Sequence, residues 1–530
     1  MSTLDESKEL EILREAVDKA ENKNKSRVIL SESVKNIITI VEDYITRHQL
    51  ICYGGTAINN VLPIDDQFYD REVEIPDYDV FSKDPMEDAK NLANLYYQNK
   101  YTDVEAKTGV HEGTYKVYVN SIPVADITFL VPEIFDNIIK TSIKVNGILY
   151  APPNFLRMSM YLELSRPDGD VTRWEKILKR LILLNKHFPI KGHKCDSLNF
   201  IRSFETGTEE EVQDIYSTVK QTLINQGVVF FGGFAATLYG KYMPRHQRKQ
   251  LKHNADFDVL SSNPEMTATI IKERLDEKNY KDINIVKHNS IGEIIPEHYQ
   301  IFVGEETVGI IYQTTACHSY NKIKIGENII RIATIDTMLS FFLAFIYVDR
   351  PYYDHERILC MAQYLFIVQS KNRLKQTGLL KRFSISCYGY QQTFADLRNE
   401  RLKKFKALKK NMNKEEYNKL FFKYKPDLEA VTKSKKPSNK KNKTLKNKSK
   451  KKTDNKKPAK KAKKKAAKKV DKKANKKVAK KANKKQTGGA NEVDPVDVDE
   501  VDPVDVDDPV DQIGGDSDDR EIPMIIGGNW

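Results

Sequence analysis

One pattern occurs twice along the chain, with nearly the same spacing both times. The first copy runs from Tyr53-Gly54-Gly55-Thr56-Ala57 to Pro76-Asp77-Tyr78-Asp79-Val80, and the second from Phe231-Gly232-Gly233-Phe234-Ala235 to Ala255-Asp256-Phe257-Asp258-Val259. The first glycine precedes its Asp-x-Asp by 23 residues in the first copy and by 24 in the second. A proline follows six residues after each second aspartate. Chance does not readily produce this spacing, so the pattern predicts that one folded unit has been duplicated.

The residues around each pattern predict the same order of elements. Apolar residues three and four apart predict an amphipathic helix over 31–48, entered through Ser31 or Ser33, and another over 209–225. Each Asp-x-Asp segment has the period of a strand, with both carboxylates on one face, and a helix is expected after it. Further predicted strands cover 115–119, 124–130, 299–303 and 308–314.

These elements predict an α+β chain with two tandem domains, each a mixed sheet flanked by helices. The expected organisation is an N-terminal helical extension (1–30), a first catalytic domain (31–190), a degenerate second domain (191–370), a basic helical closing segment (371–432), a disordered Lys-rich tail (433–485) and a disordered acidic tail (486–530).

The charge of the chain is concentrated in its last hundred residues. Residues 433–485 hold 28 lysines and two aspartates, whereas 491–530 hold 14 acidic residues and one arginine. Since the whole chain has a formal charge of +13, the body before the tails is neutral. Both tails are too poor in apolar residues to fold alone. The lysine tail could bind nucleic acid by releasing counterions, or serve only as a solvated solubility tail. The sequence does not indicate what the acidic tail binds.

The cysteines and the apolar stretches limit the class of protein. The five cysteines are odd in number, scattered and never in Cys-x-x-Cys spacing: Cys52, Cys195, Cys317, Cys360 and Cys387. This distribution argues against a disulfide framework and a zinc site, and it fits a reducing compartment. No uninterrupted apolar stretch reaches ~18 residues. We therefore expect a soluble, unsecreted protein with no membrane partner.

Three aspartates of the first copy are the candidate catalytic residues and metal ligands. Asp77 and Asp79, one residue apart on a strand, would face the same side about 6–7 Å apart. Asp126, on the next predicted strand, is the natural third ligand. Three carboxylates on neighbouring strands can hold the two divalent ions that phosphoryl transfer from a nucleoside triphosphate requires.

The second copy lacks part of this set. When strands 115–119 and 299–303 are aligned and extended without a gap, Ile310 corresponds to Asp126, and Phe234 replaces Thr56. A site that lacks one ligand should hold its ion poorly. The first copy is therefore assigned to catalysis, and the second to a structural or RNA-contacting role.

Gly54, Gly55 and Thr56 are the candidate nucleotide-binding residues, because turn amides and a hydroxyl can bind triphosphate oxygens. A helix near Arg173, Trp174, Lys176 and Arg180 could also reach a triphosphate. Trp174 is better explained as core, and a surface position for the basic residues stays open. The histidines show no ligand spacing: His187, His193, His246 and His253.

With the Tyr-Gly-Gly-Thr motif, Asp77-x-Asp79 and Asp126 in this order, the chain resembles DNA polymerase β-type nucleotidyltransferases. Over residues ~30–400 it resembles more closely the catalytic subunits of viral poly(A) polymerases, of the poxvirus and especially the giant mimivirus-like kind. The motifs are diagnostic of the superfamily and do not by themselves specify adenylate or RNA. An unusually long insertion, residues 59–76, separates the glycines from the aspartates.

The resemblance implies template-free extension of mRNA 3′ ends with ATP as substrate and release of pyrophosphate. It implies two Mg²⁺ or Mn²⁺ ions held by Asp77, Asp79 and Asp126, with Gly54 and Gly55 at the phosphates. The expected location is the host cytoplasm, in the viral factory, with packaging in the virion open. The partner protein is left undecided between a second copy of the chain, which would form a homodimer, and a viral processivity subunit.

Two other functions stay open at this point. One is another RNA nucleotidyltransferase, such as a CCA-adding, oligouridylating or oligoadenylate-forming enzyme, because the residues that choose the base are not located. The other is a non-catalytic RNA-binding scaffold that has kept the fold. The intact set Asp77, Asp79 and Asp126 counts against the scaffold.

Overall fold

A computed structural model describes most of the chain before the tails. The described residues are 3–29, 31–70, 74–195, 207–243, 256–411 and 415–427. The two predicted tails, His246 and His253 lie outside them. The predicted domain boundaries are not tested by the structure and stay predictions.

The predicted helices and strands occur in the expected order, together with further elements that were not predicted. The helices are α1 (Thr3–Ile29), α2 (Glu32–His48), α3 (Gly54–Val61), α4 (Pro85–Gln98), α5 (Pro132–Ile139), α6 (Pro153–Leu164), α7 (Trp174–His187), α8 (Glu209–Asn225), α9 (Gly233–Leu238), α10 (Pro264–Glu277), α11 (Ile335–Phe345), α12 (His355–Lys371), α13 (Phe394–Leu408) and α14 (Glu415–Phe421). The strands are β1 (Ile51–Cys52), β2 (Asp79–Ser82), β3 (Val104–Thr108), β4 (Thr114–Val119), β5 (Ile122–Phe129), β6 (Ile143–Val145), β7 (Ile148–Tyr150), β8 (Val229–Phe230), β9 (Phe257–Ser261), β10 (Ile283–His288), β11 (His298–Val303), β12 (Glu306–Gln313), β13 (His318–Ile325), β14 (Asn328–Ala333), β15 (Cys387–Tyr388) and β16 (Lys423–Tyr424).

The helices that were predicted to enter each unit are confirmed. Ser31 caps α2, since its side chain accepts a hydrogen bond from the Val34 amide, and the predicted apolar stripe of α2 is buried. Thr208 and Glu211 form a capping box at the start of α8. A helix that begins at a proline follows each Asp-x-Asp, as predicted: α4 at Pro85 and α10 at Pro264.

Two mixed sheets of eight strands each form the framework. Their orders are β16-β3-β4-β5-β2-β1-β7-β6 and β10-β11-β12-β9-β8-β14-β13-β15. Strands β1–β7 of the first sheet occupy the same relative places as strands β8–β14 of the second sheet. The residue pairing between equivalent strands also agrees. Asp79 lies opposite Asp126 in the first sheet, and Asp258 lies opposite Ile310 in the second. The gap-free alignment of Asp126 with Ile310 is therefore confirmed.

The two faces of the first sheet have different neighbours. On one face, α2 and α4 pack over β2 and are joined by the hydrogen bond from Tyr44 Oη to Asp88 (2.8 Å). On the other face, α6 covers β2, and the ring of Phe155 lies edge-on to Phe81. Phe155 also meets Tyr347 of the second half, with ring centroids 5.3 Å apart. One apolar core therefore continues across the two sheets, and α6 packs against α11 within it.

The closing segment adds an edge strand to each sheet. β15 pairs with β13 at the edge of the second sheet, and β16 pairs with β3 at the edge of the first. The sequence predicted helices here, and α13 and α14 are present. Both strands were missed because each is two residues long, too short for an alternating pattern to show.

The interpretation of the cysteines was wrong. Folding brings together Cys195 with Cys360 and Cys317 with Cys387, each pair disulfide-bonded with its Cα atoms 5.2 Å apart. Cys52 is buried and forms no disulfide in the described part of the chain. Sequence separations of 165 and 70 residues gave no spacing signal. Within the described ranges, no helix combines the length and apolarity needed to cross a bilayer.

Candidate active site

The first glycine of the motif starts a helix directly beside the aspartate strand. The Tyr53 amide donates to the Asp79 carbonyl (2.9 Å), and α3 begins at the next residue, Gly54. Gly54 has a φ of 73°, and a Cβ there would lie 2.5 Å from the Asp79 carboxylate oxygen Oδ2. Only glycine fits both conditions. As a result, the Asp79 carboxylate lies against the N-terminal end of α3, where helix amides also favour anions.

Gly54→Ala should lower the free energy of unfolding by more than Gly326→Ala. Both glycines have positive φ, 73° and 61°, so both substitutions carry the left-handed backbone cost of about 1–2 kcal/mol. Gly326 has nothing within 4 Å of the added Cβ, whereas Gly54 would also displace Asp79. Denaturant unfolding of the two variants measures the difference. Equal losses of stability would contradict the close packing of Gly54 on Asp79.

The second and third aspartates lie side by side at the sheet. Asp79 and Asp126 are register partners on β2 and β5, and they are only 4% and 3% exposed. The Asp126 amide donates to the Tyr78 carbonyl (2.9 Å), which holds the two strands together here. Asp77 is half-buried and precedes β2, so the predicted strand begins at the second aspartate of the pair. Folding thus brings Asp79 and Asp126 side by side, with Asp77 two residues before Asp79 in the chain.

Lys116 joins this group from the other side of β5. It lies opposite Asp126 in the pairing of β4 with β5, and its ammonium contacts the Asp126 carboxylate. Burial raises the pKa of Asp126 although the ammonium opposes the shift. Burial lowers the pKa of Lys116, but the Asp126 carboxylate outweighs burial and raises it. We take the contact to be an ion pair, because a buried carboxylate in contact with an ammonium favours the charged forms of both groups.

The carboxylates fit hard divalent cations, which take oxygen ligands. In the described part of the chain, the groups of three metal-type side chains that meet within 4.8 Å are Asp168 with Cys317 and Cys387, and Cys195 with Glu356 and Cys360. The three aspartates are not gathered that tightly. What supports a cation site is the register pair Asp79 and Asp126, which places oxygen ligands of two neighbouring strands side by side. The ligand assignment of Asp77, Asp79 and Asp126 stays a prediction.

Gly55 lies next to the buried side chain of Arg180. The sequence did not decide whether this arginine lies at the surface. A Cβ at Gly55 would lie 2.5 Å from Tyr69 Oη and 3.0 Å from Arg180 Nη1. Arg180 is 6% exposed, stacks on the ring of Phe68 and donates to Tyr69 Oη (2.6 Å). The surface interpretation of Arg180 was therefore wrong. The guanidinium lies next to the start of α3, within the same anion-favouring region.

Thr56 and Asn59 position this region. The Thr56 hydroxyl donates to the Asp77 carbonyl (2.6 Å), which ties α3 to the aspartate segment. The contact of Thr56 with a triphosphate stays a prediction. The hydroxyl proton of Thr56 is donated to the Asp77 carbonyl. Asn59 Oδ1 accepts from the amides of Phe68 and Tyr69 (2.7 and 2.9 Å). The long insertion is thereby folded back so that Tyr69 reaches Gly55.

The remaining candidates have structural partners. Trp174 donates through Nε1 to the Glu163 carbonyl (3.0 Å) and packs against the core, as expected. Arg173 forms an ion pair with Glu163 (3.4 Å). Lys176 is exposed. His187 contacts Asp66 at 2.5 Å.

The second copy keeps the framework of the site and lacks the third carboxylate. Asp258 still packs against the first glycine, Gly232, as Asp79 packs against Gly54. Opposite it lies Ile310, and Gln300 takes the place of Lys116 next to that isoleucine. The ring of Phe234 packs on those of Phe230 and Phe257. An apolar side chain therefore replaces the third carboxylate, and a neutral amide replaces its lysine.

Comparisons with known proteins agree with this geometry. Residues 39–170 match the family model of the poly(A) polymerase catalytic subunit. The chain is 26% identical over 279 residues to a protein of Acanthamoeba polyphaga mimivirus that is provisionally named a poly(A) polymerase catalytic subunit, covering 51% of this chain and 46% of that protein. An African swine fever virus protein with the same provisional name is 32% identical over 181 residues, covering 32% of this chain and 38% of that protein.

The alignments span about half the length of these curated relatives or less. The crystal structure of the Megavirus polyadenylate synthase superposes with a TM-score of 0.67 at 20% identity, covering 82% of this chain and 89% of that chain. This likeness shows the mixed α+β fold with two sheets. Residues 39–170 are therefore similar to the poly(A) polymerase catalytic subunit family, within a chain whose fold is similar to that of the Megavirus polyadenylate synthase.

Proposed function

We propose that the chain is a polynucleotide adenylyltransferase that adds AMP from ATP to RNA 3′ ends without a template and releases pyrophosphate. The observation that carries the proposal is the register pair of buried carboxylates, Asp79 and Asp126, with Asp79 against the α3 N-terminus inside the matched region. Phosphoryl transfer needs this combination of carboxylates for cations and amides for phosphate oxygens.

Each residue of the site has a role in this proposal. Asp77, Asp79 and Asp126 would hold two Mg²⁺ or Mn²⁺ ions, which activate the attacking hydroxyl and stabilise the charge of the leaving pyrophosphate. The amides at Gly54 and Gly55 bind phosphate oxygens of ATP. Arg180 adds positive charge beside them, and its stacking on Phe68 fixes its direction. Lys116 compensates the buried charge of Asp126 and keeps that carboxylate ionised.

We further propose that the two halves arose by internal duplication and that the second became a structural half. The matching strand order and the equivalent register of Asp258 with Ile310 support this origin. The name of the matched family, a catalytic subunit, supports a partner subunit besides the RNA and ATP. A location in the host cytoplasm belongs to the same proposal.

Primer extension tests the function. Labelled RNA is incubated with the full chain, Mn²⁺ or Mg²⁺ and each nucleoside triphosphate separately. Long products are expected with ATP and few or none with CTP, GTP or UTP. Equal extension with UTP or CTP would favour the other RNA nucleotidyltransferases. RNA binding without extension in any mixture would favour the scaffold.

The double variant Asp256→Asn, Asp258→Asn should keep most of the extension rate. Ile310 cannot ligate a cation, so the second copy should contribute nothing to the chemistry. Initial rates at saturating RNA and ATP measure this, with thermal unfolding as the control for folding. Loss of activity at unchanged stability would mean that the second copy binds a required nucleotide.

Truncation after Asp427 should weaken RNA binding and leave the rate at saturating RNA unchanged. The carboxylates lie within the neutral body, while the removed segment carries the 28 lysines of 433–485. Affinity is measured against salt for both proteins. The full chain should show the steeper decline, by roughly 0.7 log unit per log unit of salt for each RNA phosphate that the lysines neutralise. Equal slopes would remove the RNA-tethering role of the tail.

A further inference from the structure

The closing segment connects the edges of the two sheets. We call residues 387–411 and 415–424 the strap. At its start, β15 pairs with β13 through His318 with Tyr388 and Ser319 with Cys387. At its end, β16 pairs with β3 of the first sheet. The strap therefore spans the whole framework, from the outer edge of one sheet to the outer edge of the other.

Beneath the strap lies a large cavity. Its volume is about 710 Å³, within the ~300–1,000 Å³ range of ligand pockets. Leu397, Arg401 and Leu420 of the strap form one wall. The opposite walls come from Phe129 at the end of β5 and from Ile294 of the second half. Displacement of the strap would open this cavity along one side.

The helix α13, in the middle of the strap, buries little of its surface. None of the residues of α13 is fully buried, so little apolar area fixes this helix. Arg401 donates to the carbonyls of Gly109 and Leu420 and to the Thr108 hydroxyl, at 2.6, 3.1 and 2.7 Å. Elements with few buried contacts open locally far more often than a core does.

The covalent contact of the strap is at its first residue. Cys387 is bonded to Cys317, which is 3% exposed and directly precedes β13. Cys387 is half-buried, and the Asp168 carboxylate lies 3.5 Å from its sulfur. The more accessible sulfur thus belongs to the strap, and the inaccessible one belongs to the core.

We propose that Cys317 and Cys387 form a redox modification site, which locks the strap to the second sheet when oxidised and releases it when reduced. A small-molecule disulfide, such as oxidised glutathione, is the oxidant. The Cys387 thiolate displaces one small thiolate and forms a mixed disulfide. The Cys317 thiolate then attacks the Cys387 sulfur and displaces the second. Two protein thiols lose two protons and two electrons, and one small disulfide becomes two thiols.

The other cysteine pair provides a matched control within the same chain. Cys195 and Cys360 tie the loop after α7 to α12. That loop is also held without the sulfurs, since the Gly192 amide donates to Gln363 (2.7 Å) and the Lys194 amide donates to Glu356 (3.0 Å). Reduction of this pair should leave the strap unaffected.

The test compares the oxidised and reduced full chain by two measurements. Alkylation with mass spectrometry reports which cysteines are paired, and amide hydrogen exchange reports opening of the strap. Reduction should raise exchange at the amides of β15 and α13 by roughly tenfold or more, while β14 stays unchanged. Cys387→Ser should show the high exchange in both conditions, and Cys360→Ser should keep the full response.

Two results would overturn the proposal. One is free alkylation of Cys317 and Cys387 after incubation with oxidised glutathione. The other is equal strap exchange in wild-type protein whose Cys317–Cys387 pair has been shown to change state. Both comparisons use the wild-type chain, so neither depends on the folding of a variant.

Discussion

Asp79→Asn is expected to lower the rate of AMP addition by at least about 100-fold while the fold stays intact. The substitution keeps the shape of a side chain that is 4% exposed and removes its charge. Asp79 lies in register with Asp126 and against the start of α3, so it would ligate both cations. Primer extension with ATP measures the rate, and circular dichroism with thermal unfolding checks the fold. Asp77→Asn should have a similar effect, and Asp126→Asn should be nearly as severe.

Asp258→Asn is the matched control for this prediction. Asp258 has the same position in its sheet and the same glycine neighbour, but its register partner is Ile310. Its rate should stay close to that of the wild type. More than about a tenth of the wild-type rate in Asp77→Asn or Asp79→Asn would contradict the metal assignment. A variant that is defective only in substrate binding would have a higher KM and an unchanged kcat. Both constants should therefore be measured.

Arg382→Ala is expected to lower the free energy of unfolding by about 3–5 kcal/mol, the typical loss when one partner of a buried ion pair is removed. The Asp336 carboxylate is 0% exposed and accepts hydrogen bonds from Arg382 (2.8 and 2.9 Å) and Gln369 (2.9 Å). Without the guanidinium, a buried carboxylate would be left with neutral partners, the Gln369 amide and a backbone amide. Denaturant unfolding measures the loss. The double variant Asp336→Asn, Arg382→Met should recover part of it, because it removes both charges.

Arg350→Ala is the control for an exposed pair. Arg350 also makes two contacts with a carboxylate, that of Glu133 (2.8 and 3.1 Å), but the side chains are 31% and 34% exposed. Solvent screening should limit its loss of stability to about 1 kcal/mol. Losses of the same size for Arg382→Ala and Arg350→Ala would show that the Asp336 pair contributes no more than a surface pair.

Much of the site could be predicted because its residues lie in periodic segments. The alternation around Asp77, Asp79 and Asp126 placed them on neighbouring strands, and the repeat identified Ile310 as the counterpart of Asp126. Lys116 was missed for a geometric reason. A bulge between Val117 and Tyr118 shifts the pairing of β4 with β5, so counting back from the turn does not place Lys116 opposite Asp126.

The sequence did not decide whether Arg180 is buried, because the residues that surround it are far from it in the sequence. The residues that bury it, Phe68 and Tyr69, lie in the insertion and are held there by Asn59. The cysteine pairs and the strap are similar cases. Cys387 meets Cys317 across 70 residues, and β15 and β16 become strands only because each finds a sheet edge.

The sequence alone predicted the helix that enters each unit, the strands around each Asp-x-Asp, the correspondence of Asp126 with Ile310 and the three candidate carboxylates. These properties depend on local periodicity and spacing, which a single chain displays directly. The tertiary structure decided which side chains surround them: Lys116 on Asp126, Arg180 beside Gly55, and the strap across both sheets. Such contacts depend on register, bulges and long-range packing, and these are set by the free energy of the whole fold rather than by any local segment.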